Sequence, residues 1–395
     1  KGARAYHKGE ETDPDSVGVQ ACDAATLVVE LDEPAGYFLH VMAHSATYPV
    51  PRHAVDAHGE AWTEVGRIVT NGPFKLKAWQ RAETLVLVKN ARYHGRAKGN
   101  VQKVKVTVLV KPAAGLKAYQ ADRLDLLDMV FFPPAEIDYG RWHHAGEYVS
   151  GPQLYPSYVA FCLGRAPFDE LRVRRAFALA TNRKRLAGVA LHGSCSPATG
   201  GIVPPKMPGH TPNIGPSYDP ERARELLADA GFPGGRGLPV VKLMMHEDPL
   251  SLVAGKYLQK QWRSELGVKT ELEVVEWERF FTRLQIEPPQ AVLWGFVADY
   301  PDPDNVLRVG MGYVLPYTRW ENEDYGNLVE RAGRLTNQKK RVGLYREADR
   351  ILTEEVPILP LAYMRSHLLV KPWVSRLPIS PIRYWFWKDV TVESH

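Results

Sequence analysis

The sequence is short of the residues that build metal sites and disulfide frameworks. Among its 395 residues only three are cysteine, Cys22, Cys162 and Cys195, and they lie far apart with no Cys-x-x-Cys or Cys/His ligand spacing. A structural zinc site or a disulfide scaffold is therefore not expected. No run of about 18 apolar residues occurs either, so the sequence predicts no transmembrane helix.

Sequence motifs of catalysis and cofactor binding are also missing. There is no Walker A loop, no Gly-x-Gly-x-x-Gly after a strand, no His-Glu-x-x-His and no Gly-x-Ser-x-Gly. Cys195 offers a thiol, but the sequence places no activating base beside it. Asp302, Asp304 and Asn305 resemble part of a calcium loop whose distal glutamate is absent. We therefore expect no cofactor, no metal and no enzyme, with a hydrolase as the weakest alternative.

Charge of one sign is not concentrated anywhere along the chain. The formal net charge is only +5, and 50 basic residues are interleaved with 45 acidic ones. A nucleic-acid-binding protein would show a basic stripe, so we expect no nucleic acid partner. A hydrophobic content of 45% with 24% charged residues is that of a globular protein, and a length of 395 residues is enough for two or three domains.

Local patterns along the chain predict a mixed α/β architecture. Strand and helix patterns alternate through residues 155–365, which is typical of an α/β lobe. Residues 1–17 are predicted to be loop, and residues 104–110, with valine at every second position, a half-buried strand. The other main predictions are a hairpin (Phe74–Gln80 with Thr84–Lys89), a helix at about Glu170–Ala180 capped by Asp169, a helix from Asp219-Pro220 to Gly231, and two final strands (Ile358–Tyr363 and Leu368–Val370).

One stretch, residues 293–305, combines an apolar aromatic run of strand length with a turn rich in proline and aspartate. Asp299 stands at the break, among Trp294, Phe296 and Tyr300. A carboxylate beside aromatic rings in a partly desolvated place suits a small cationic group, because it supplies a charge-assisted hydrogen bond. The alternative is that these aspartates cap amides of the turn.

Six motifs, taken in order, resemble one family: the peptide-binding proteins of ABC importers, which form the large extracellular class of oligopeptide- and dipeptide-binding proteins. The resemblance covers nearly the whole chain. It is carried by Gly18-Val19 to Glu33-Pro34, by Asn71-Gly72-Pro73-Phe74 with Trp79 and Asn90-Ala91-Arg92-Tyr93, by Pro167-Phe168 to Thr181-Asn182-Arg183, by Tyr218-Asp219-Pro220 to Gly231-Phe232, by Ala298-Asp299-Tyr300-Pro301, and by Leu369-Val370-Lys371-Pro372-Trp373.

The resemblance implies an α/β fold of two lobes, a periplasmic-binding-protein-like clamp with a hinge, in which helices flank mixed sheets. Lobe I is expected to comprise residues 52–154 and 366–395, and lobe II residues 155–365. Residues 1–51 would be the remnant of a small β-rich subdomain, because the family has a longer front section that contains a signal peptide.

The resemblance also implies the site residues. Asp299 matches the aspartate that takes the peptide's α-ammonium, Trp277 and Phe296 match aromatic cleft walls, and Tyr363 lies on the strand returning toward the hinge. Core packing is the alternative for Phe296 and Tyr363. The remaining predicted ligand-binding positions are Val297, beside Phe296, and two departures from the best-known oligopeptide binder, Leu293 in place of an arginine and Cys162 in place of an asparagine.

The implied function is the capture of a peptide, or of a related small amine-bearing solute, between the lobes. The partner would be an ABC permease, and the protein would be a monomer without a cofactor. Its place would be periplasmic or extracellular, held at the membrane by a lipid anchor in the front section. The alternative is a ligand-sensing domain of a larger regulatory protein, which would be cytoplasmic.

Overall fold

A central mixed sheet organises the computed structural model, which describes residues 1–109 and 111–395. The strands are β1 (Val19–Ala21), β2 (Leu27–Val29), β3 (Phe74–Gln80), β4 (Thr84–Lys89), β5 (Lys103–Thr107), β6 (Leu126–Asp128), β7 (Tyr148–Phe161), β8 (Cys195–Pro197), β9 (Val241–His246), β10 (Thr270–Val275), β11 (Ala291–Gly295), β12 (Ile358–Val370), β13 (Val374–Ser375) and β14 (Thr391–Val392).

Helices lie between the strands along the chain, and part of them covers both faces of the central sheet. They are α1 (Ala3–Lys8), α2 (Phe38–Met42), α3 (Arg52–His58), α4 (Pro112–Gln120), α5 (Pro134–His143), α6 (Leu171–Leu179), α7 (Arg183–Arg185), α8 (Pro220–Asp229), α9 (Pro249–Leu266), α10 (Trp277–Ile286), α11 (Met311–Thr318), α12 (Glu323–Arg334) and α13 (Gln338–Glu355). No helix among the described residues is long and apolar enough to cross a membrane.

The central sheet has the strand order β10-β9-β11-β7-β12-β6, with β8 also paired to β12. The pairs β10/β9 and β9/β11 are parallel, whereas β11/β7, β7/β12 and β12/β6 are antiparallel. Strands β7 and β12 are much longer than their neighbours, with 14 and 13 residues. Among the strands of residues 1–109 and 111–395, these two extend from the β9–β11 half of the sheet to the β6 half.

Two separate cores pack on the two faces of this sheet. On one face β7, β9 and β11 meet α6, α8 and α9 around Trp262, whose indole is fully buried and donates to Thr181 Oγ1 at 3.0 Å. On the other face they meet α10 to α13 around Phe280 and Tyr345. A third, smaller core joins α4, α5 and β6 with the end of β12. The alternation of side chains along each strand therefore serves two cores at once.

Local sequence signals gave several elements correctly. The hairpin β3/β4 has the predicted bounds, and α8 begins after the cap Asp219, whose side chain accepts from the Arg222 amide at 3.0 Å. After that helix Gly231 adopts φ 93°, the left-handed conformation that glycine tolerates best.

Other predictions were wrong in ways that have a physical reason. Residues 1–17 contain the helix α1, and α6 is capped by Glu170 rather than Asp169, because the Glu170 carboxylate accepts from the Arg172 amide. The two predicted final strands are one strand, β12. The predicted strand at 104–110 is only β5, with Val106 and Val108 exposed, and Val110 lies outside the described residues.

Candidate ligand-binding cleft

A cleft of about 760 Å³, part of it open to solvent, lies against β7 and β12 where they leave the larger half of the sheet. One wall comes from the loop after β6 and from the C-terminal segment, with Phe131 and Arg383. The opposite wall comes from the end of β9 and the start of α9, with His246, Asp248 and Leu250. The floor includes Tyr155 and Ser157 of β7, Leu293 of β11, and Met364 and Arg365 of β12.

The pairing of β7 with β12 is irregular beside the cleft. Tyr363 pairs with Pro156 but Arg365 pairs with Pro152, so a single residue of β12 lies opposite three residues of β7. A second shift lies between Pro360 and Ala362. Bulges of this kind bend a strand and re-aim its side chains. The shift between Tyr363 and Arg365 lies beside both lobe boundaries that the sequence predicts, after residues 154 and 365. We propose that these boundaries mark the hinge.

Strand β11 offers an unpaired backbone edge next to the cleft. Its pairing with β9 ends at Leu293, whereas the pairing with β7 continues to Gly295. Beyond the strand, the amides of Phe296 and Ala298 still donate to the carbonyls of Pro156 (3.1 Å) and Leu154 (2.8 Å). Within the described part of the chain, the Val297 amide has no acceptor. This edge can accept one more extended strand.

Gly295 lies at the start of this free edge, directly beside Tyr155. A side chain at position 295 would clash with the Tyr155 ring, so glycine is required for this approach. Burial raises the pKa of Tyr155 to about 12, with Asp248 adding to the rise and Arg383 opposing it. Tyr155 is thus a neutral phenol that stands between the free edge and the charged walls of the cleft.

Asp299 lies at the end of the same edge and is solvent-exposed. Its backbone amide donates to Asn305 Oδ1 at 2.7 Å, and its carboxylate accepts from Asn305 Nδ2 at 3.1 Å. Asn305 itself is fully buried. The Asp299 carboxylate is therefore held in one orientation and keeps a second oxygen for a ligand. An exposed carboxylate so oriented is suited to an ammonium group.

The turn that follows is fixed by buried charges. Asp302 forms a bidentate pair with Arg341 at 2.6 and 2.7 Å, and both side chains are almost completely buried. Asp304 accepts from Arg308 and from the hydroxyls of Tyr300 and Tyr345, both at 2.9 Å. The side-chain oxygens of Asp302, Asp304 and Asn305, which resemble part of a calcium loop, are thus all engaged with protein partners. Among the described residues no group of three metal-ligating side chains occurs.

Trp277 begins α10 and is half-exposed. Its ring packs edge-on against His246, a cleft residue, with centroids 5.3 Å apart, and lies near Phe280 and Phe281. The same two phenylalanines pack against Trp294 of β11. Trp277 therefore stands at the outer margin of the β9 wall, where its free face is open to a ligand.

The other predicted site residues are not all brought to the cleft. Val297 is half-buried on the free edge, and Leu293 is buried at the floor of the cleft. The Phe296 ring instead packs toward Gly310 and Tyr313 in the core on the other face. Tyr363 is buried, and its hydroxyl donates to the Gly201 carbonyl at 2.8 Å. Cys162 is buried at the far end of β7, where its amide donates to Gln290.

Sequence reasoning missed most of the polar side chains of the cleft. These are Tyr155, His246, Asp248, Arg365 and Arg383. One signal was available: Arg365 is a lone cation within the apolar run of β12, where an unpaired charge calls for an explanation. The others come from three separate segments, which only the folded sheet brings together.

Comparison with known proteins identifies the group to which this arrangement belongs. A family model described as bacterial extracellular solute-binding proteins, family 5 Middle, matches residues 1–312. The chain belongs to this family. The resemblance drawn from the sequence motifs is therefore confirmed.

Individual relatives are similar over nearly the whole chain. The probable deoxycholate-binding periplasmic protein YgiS of Escherichia coli is 28% identical over 393 residues, which cover 98% of this chain and 72% of that protein. The periplasmic murein peptide-binding protein MppA of the same organism is 28% identical over 385 residues, covering 96% and 71%. Both are named as periplasmic binding proteins.

Solved structures agree on the fold. A structure of the E. coli murein tripeptide binding protein MppA superposes with a TM-score of 0.83 at 27% identity, covering 100% of this chain and 78% of that one. An unliganded open form of MppA gives a TM-score of 0.78 over 100% of this chain and 77% of that one. The predicted fold class, two α/β lobes with helices flanking mixed sheets, is confirmed.

Proposed function

We propose that this protein captures a peptide in the cleft and delivers it to the permease of an ABC importer. The peptide lies extended along the free edge of β11, and its α-ammonium group binds the Asp299 carboxylate. One observation carries this proposal. The backbone edge from Gly295 to Val297 has no neighbouring strand, and the oriented, exposed Asp299 carboxylate lies at its end.

Main-chain pairing explains how such a site accepts different peptides. Hydrogen bonds from a strand edge recognise the backbone common to all peptides, and alternate side chains of the bound strand enter pockets. The names of two relatives support a peptide ligand, since MppA is named for a murein peptide and the E. coli protein OppA for oligopeptides. YgiS is named for deoxycholate, so a non-peptide acid is the second ligand class to test.

Closure of the cleft would come from the two long strands. Strands β7 and β12 connect the walls and carry bulges at the same level, beside Pro152 and Pro156. A ligand that contacts both walls stabilises the closed state, because those contacts are absent when the walls are apart. These bulges support a hinge in the same part of β7 and β12.

The proposed role is non-catalytic. Burial raises the pKa of the Cys195 thiol to about 12, with Arg365 opposing that rise. A buried thiol that stays protonated at neutral pH is a poor nucleophile. The family is likewise described by solute binding, and the comparisons lend no support to the alternative of a regulatory sensor.

We further propose that the protein works in the periplasm or at the outer face of the membrane, as a monomer. The periplasmic relatives support this location. A lipid anchor on the native protein is part of the proposal, and detergent phase partitioning of the protein taken from its source tests it. A protein that remains in the aqueous phase would contradict the anchor while leaving the binding role intact.

The experiment that tests the function is native mass spectrometry of the purified protein, followed by thermal-shift titration with di- to pentapeptides and with deoxycholate. A ligand that binds only the folded state raises the melting temperature in a saturable way. Co-purifying peptide masses, or saturable stabilisation by peptides, would support peptide capture. Stabilisation by deoxycholate alone would replace the peptide by a non-peptide acid, and no response to any ligand would contradict the proposal.

A further inference from the structure

The cleft contains a partly buried cation without a counter-ion. Arg365 lines the cleft, and its Nε donates to Ser150 Oγ at 3.1 Å. Among the described residues no carboxylate lies within 4.0 Å of this guanidinium group, and its two terminal nitrogens have no acceptor. An arginine fork held away from bulk water gains strongly from a carboxylate that binds both nitrogens.

The fold aims Arg365 at the cleft by means of a bulge. In a regular strand, residues 363 and 365 would point to the same face of the sheet. Tyr363 instead points under the loop of Gly201, while Met364 and Arg365 both line the cleft. The register shift between Tyr363 and Arg365 separates the two side chains, as bulges commonly do.

The neighbouring groups do not neutralise this charge. The acidic residue of the cleft, Asp248, accepts from the amides of Leu250 and Ser251 at the start of α9 and lies 3.2 Å from His246. Its negative charge is therefore already balanced by the helix N-terminus. The second cleft arginine, Arg383, already faces Asp128 at 3.5 Å.

The remaining neighbours of Arg365 are neutral or apolar. Burial lowers the pKa of His367 to about 4, so this ring is uncharged at neutral pH. Its Nδ1 lies 2.5 Å from the Tyr148 hydroxyl and its Nε2 lies 2.6 Å from the Ser194 carbonyl, which occupies both ring nitrogens. Leu293 adds an apolar floor. Among the described residues that line the cleft, Arg365 is the positive charge without a paired anion.

We propose that Arg365 binds a carboxylate of the ligand in this cleft. This rests on the proposed function and names the chemistry of the ligand's second end: an acid held by Arg365 in addition to the ammonium group held by Asp299. The carboxylate replaces solvent around the guanidinium terminal nitrogens. Arg383, already paired with Asp128, contributes less.

The test compares acids with amides. Calorimetry measures binding of a random-sequence tripeptide library with free carboxyl ends, of the same library amidated at its carboxyl end, and of deoxycholate. The variants are Arg365→Gln, Arg365→Lys, Arg383→Gln and the control Arg350→Gln, an exposed arginine that pairs only with Glu354. Circular dichroism of each variant confirms folding. If Arg365→Gln does not fold, Arg365→Lys, which keeps the positive charge, takes its place in the comparison.

We expect the wild type and Arg350→Gln to prefer the free acid over the amide by roughly ten- to hundred-fold, the range for a hydrogen bond to a charged group. Arg365→Gln should bind both libraries equally and weakly. Arg365→Lys should keep part of the preference, and Arg383→Gln should keep most of it.

The outcomes separate this inference from the proposed function. Equal binding of acid and amide by the wild type, or an undiminished preference in Arg365→Gln, would overturn the carboxylate site while leaving peptide capture standing. No binding of either library would overturn peptide capture itself. Deoxycholate that binds the wild type but not Arg365→Gln would support the carboxylate site and place the acid on a non-peptide ligand.

Discussion

Replacing Asp302 by alanine should destabilise the protein more than any exposed ion-pair substitution. Arg341 is fully buried, and Asp302 holds it through two hydrogen bonds of 2.6 and 2.7 Å. Without Asp302 the guanidinium group loses its counter-ion but stays in the core. Breaking a buried pair in this way costs about 3–5 kcal/mol of unfolding free energy, because the remaining charge is uncompensated.

Urea unfolding followed by circular dichroism measures this loss. The control is Glu225→Ala, which removes an exposed partner of Arg222 and should cost at most about 1 kcal/mol. The double variant Asp302→Ala/Arg341→Met removes the stranded charge and should recover part of the loss. A loss below about 1 kcal/mol for Asp302→Ala would refute the claim that this pair holds the turn of the binding site.

Two further predictions concern stability. Gly231→Ala should lower the free energy of unfolding by about 1–2 kcal/mol, because alanine disfavours φ 93°. The control Gly326→Ala, inside α12 with equally open space around it, should leave that free energy unchanged or raise it. Equal melting temperatures for these two variants would show that the left-handed backbone conformation at Gly231 does not affect stability. Burial lowers the pKa of His367 to about 4, so between pH 6.5 and pH 4 the unfolded state binds more protons than the folded state. The free energy of unfolding therefore falls as the pH drops through this window, by at most about 3 kcal/mol from this group. Unfolding free energies at pH 7 and pH 4.5 should therefore differ less in His367→Gln than in the wild type, and parallel curves would contradict the assignment.

Features set by neighbouring residues could be predicted from the sequence. The cap Asp219, the proline that follows it and the stop at Gly231 act within one helix, and all three lie where the pattern placed them. The same holds for the hairpin β3/β4. The position of Asp299 at a strand end followed equally from the local run of aromatic residues and the Pro/Asp turn.

Features set by tertiary pairing could not be predicted. The bulges of β12 depend on its register with β7, and they decide that Tyr363 is buried under the Gly201 loop while Arg365 reaches the cleft. Leu293 of β11 and Phe296, which follows that strand, face opposite sides of the sheet, so a motif that includes both residues does not say which of them meets the ligand. The aspartates after Asp299 appeared as a possible calcium loop because their partner Arg341 is distant in the sequence.

Calorimetric titration of Asp299→Asn with the free-acid tripeptide library tests the central claim most directly. The substitution keeps the shape of the side chain and its hydrogen bond from Asn305 but removes the charge that would meet the peptide's ammonium group. We expect binding to weaken by about 1.5–3 kcal/mol with an unchanged melting curve, and no change in Asp169→Asn, an exposed control in the same lobe. Undiminished binding by a normally folded Asp299→Asn would show that the Asp299 carboxylate does not hold the peptide's ammonium group.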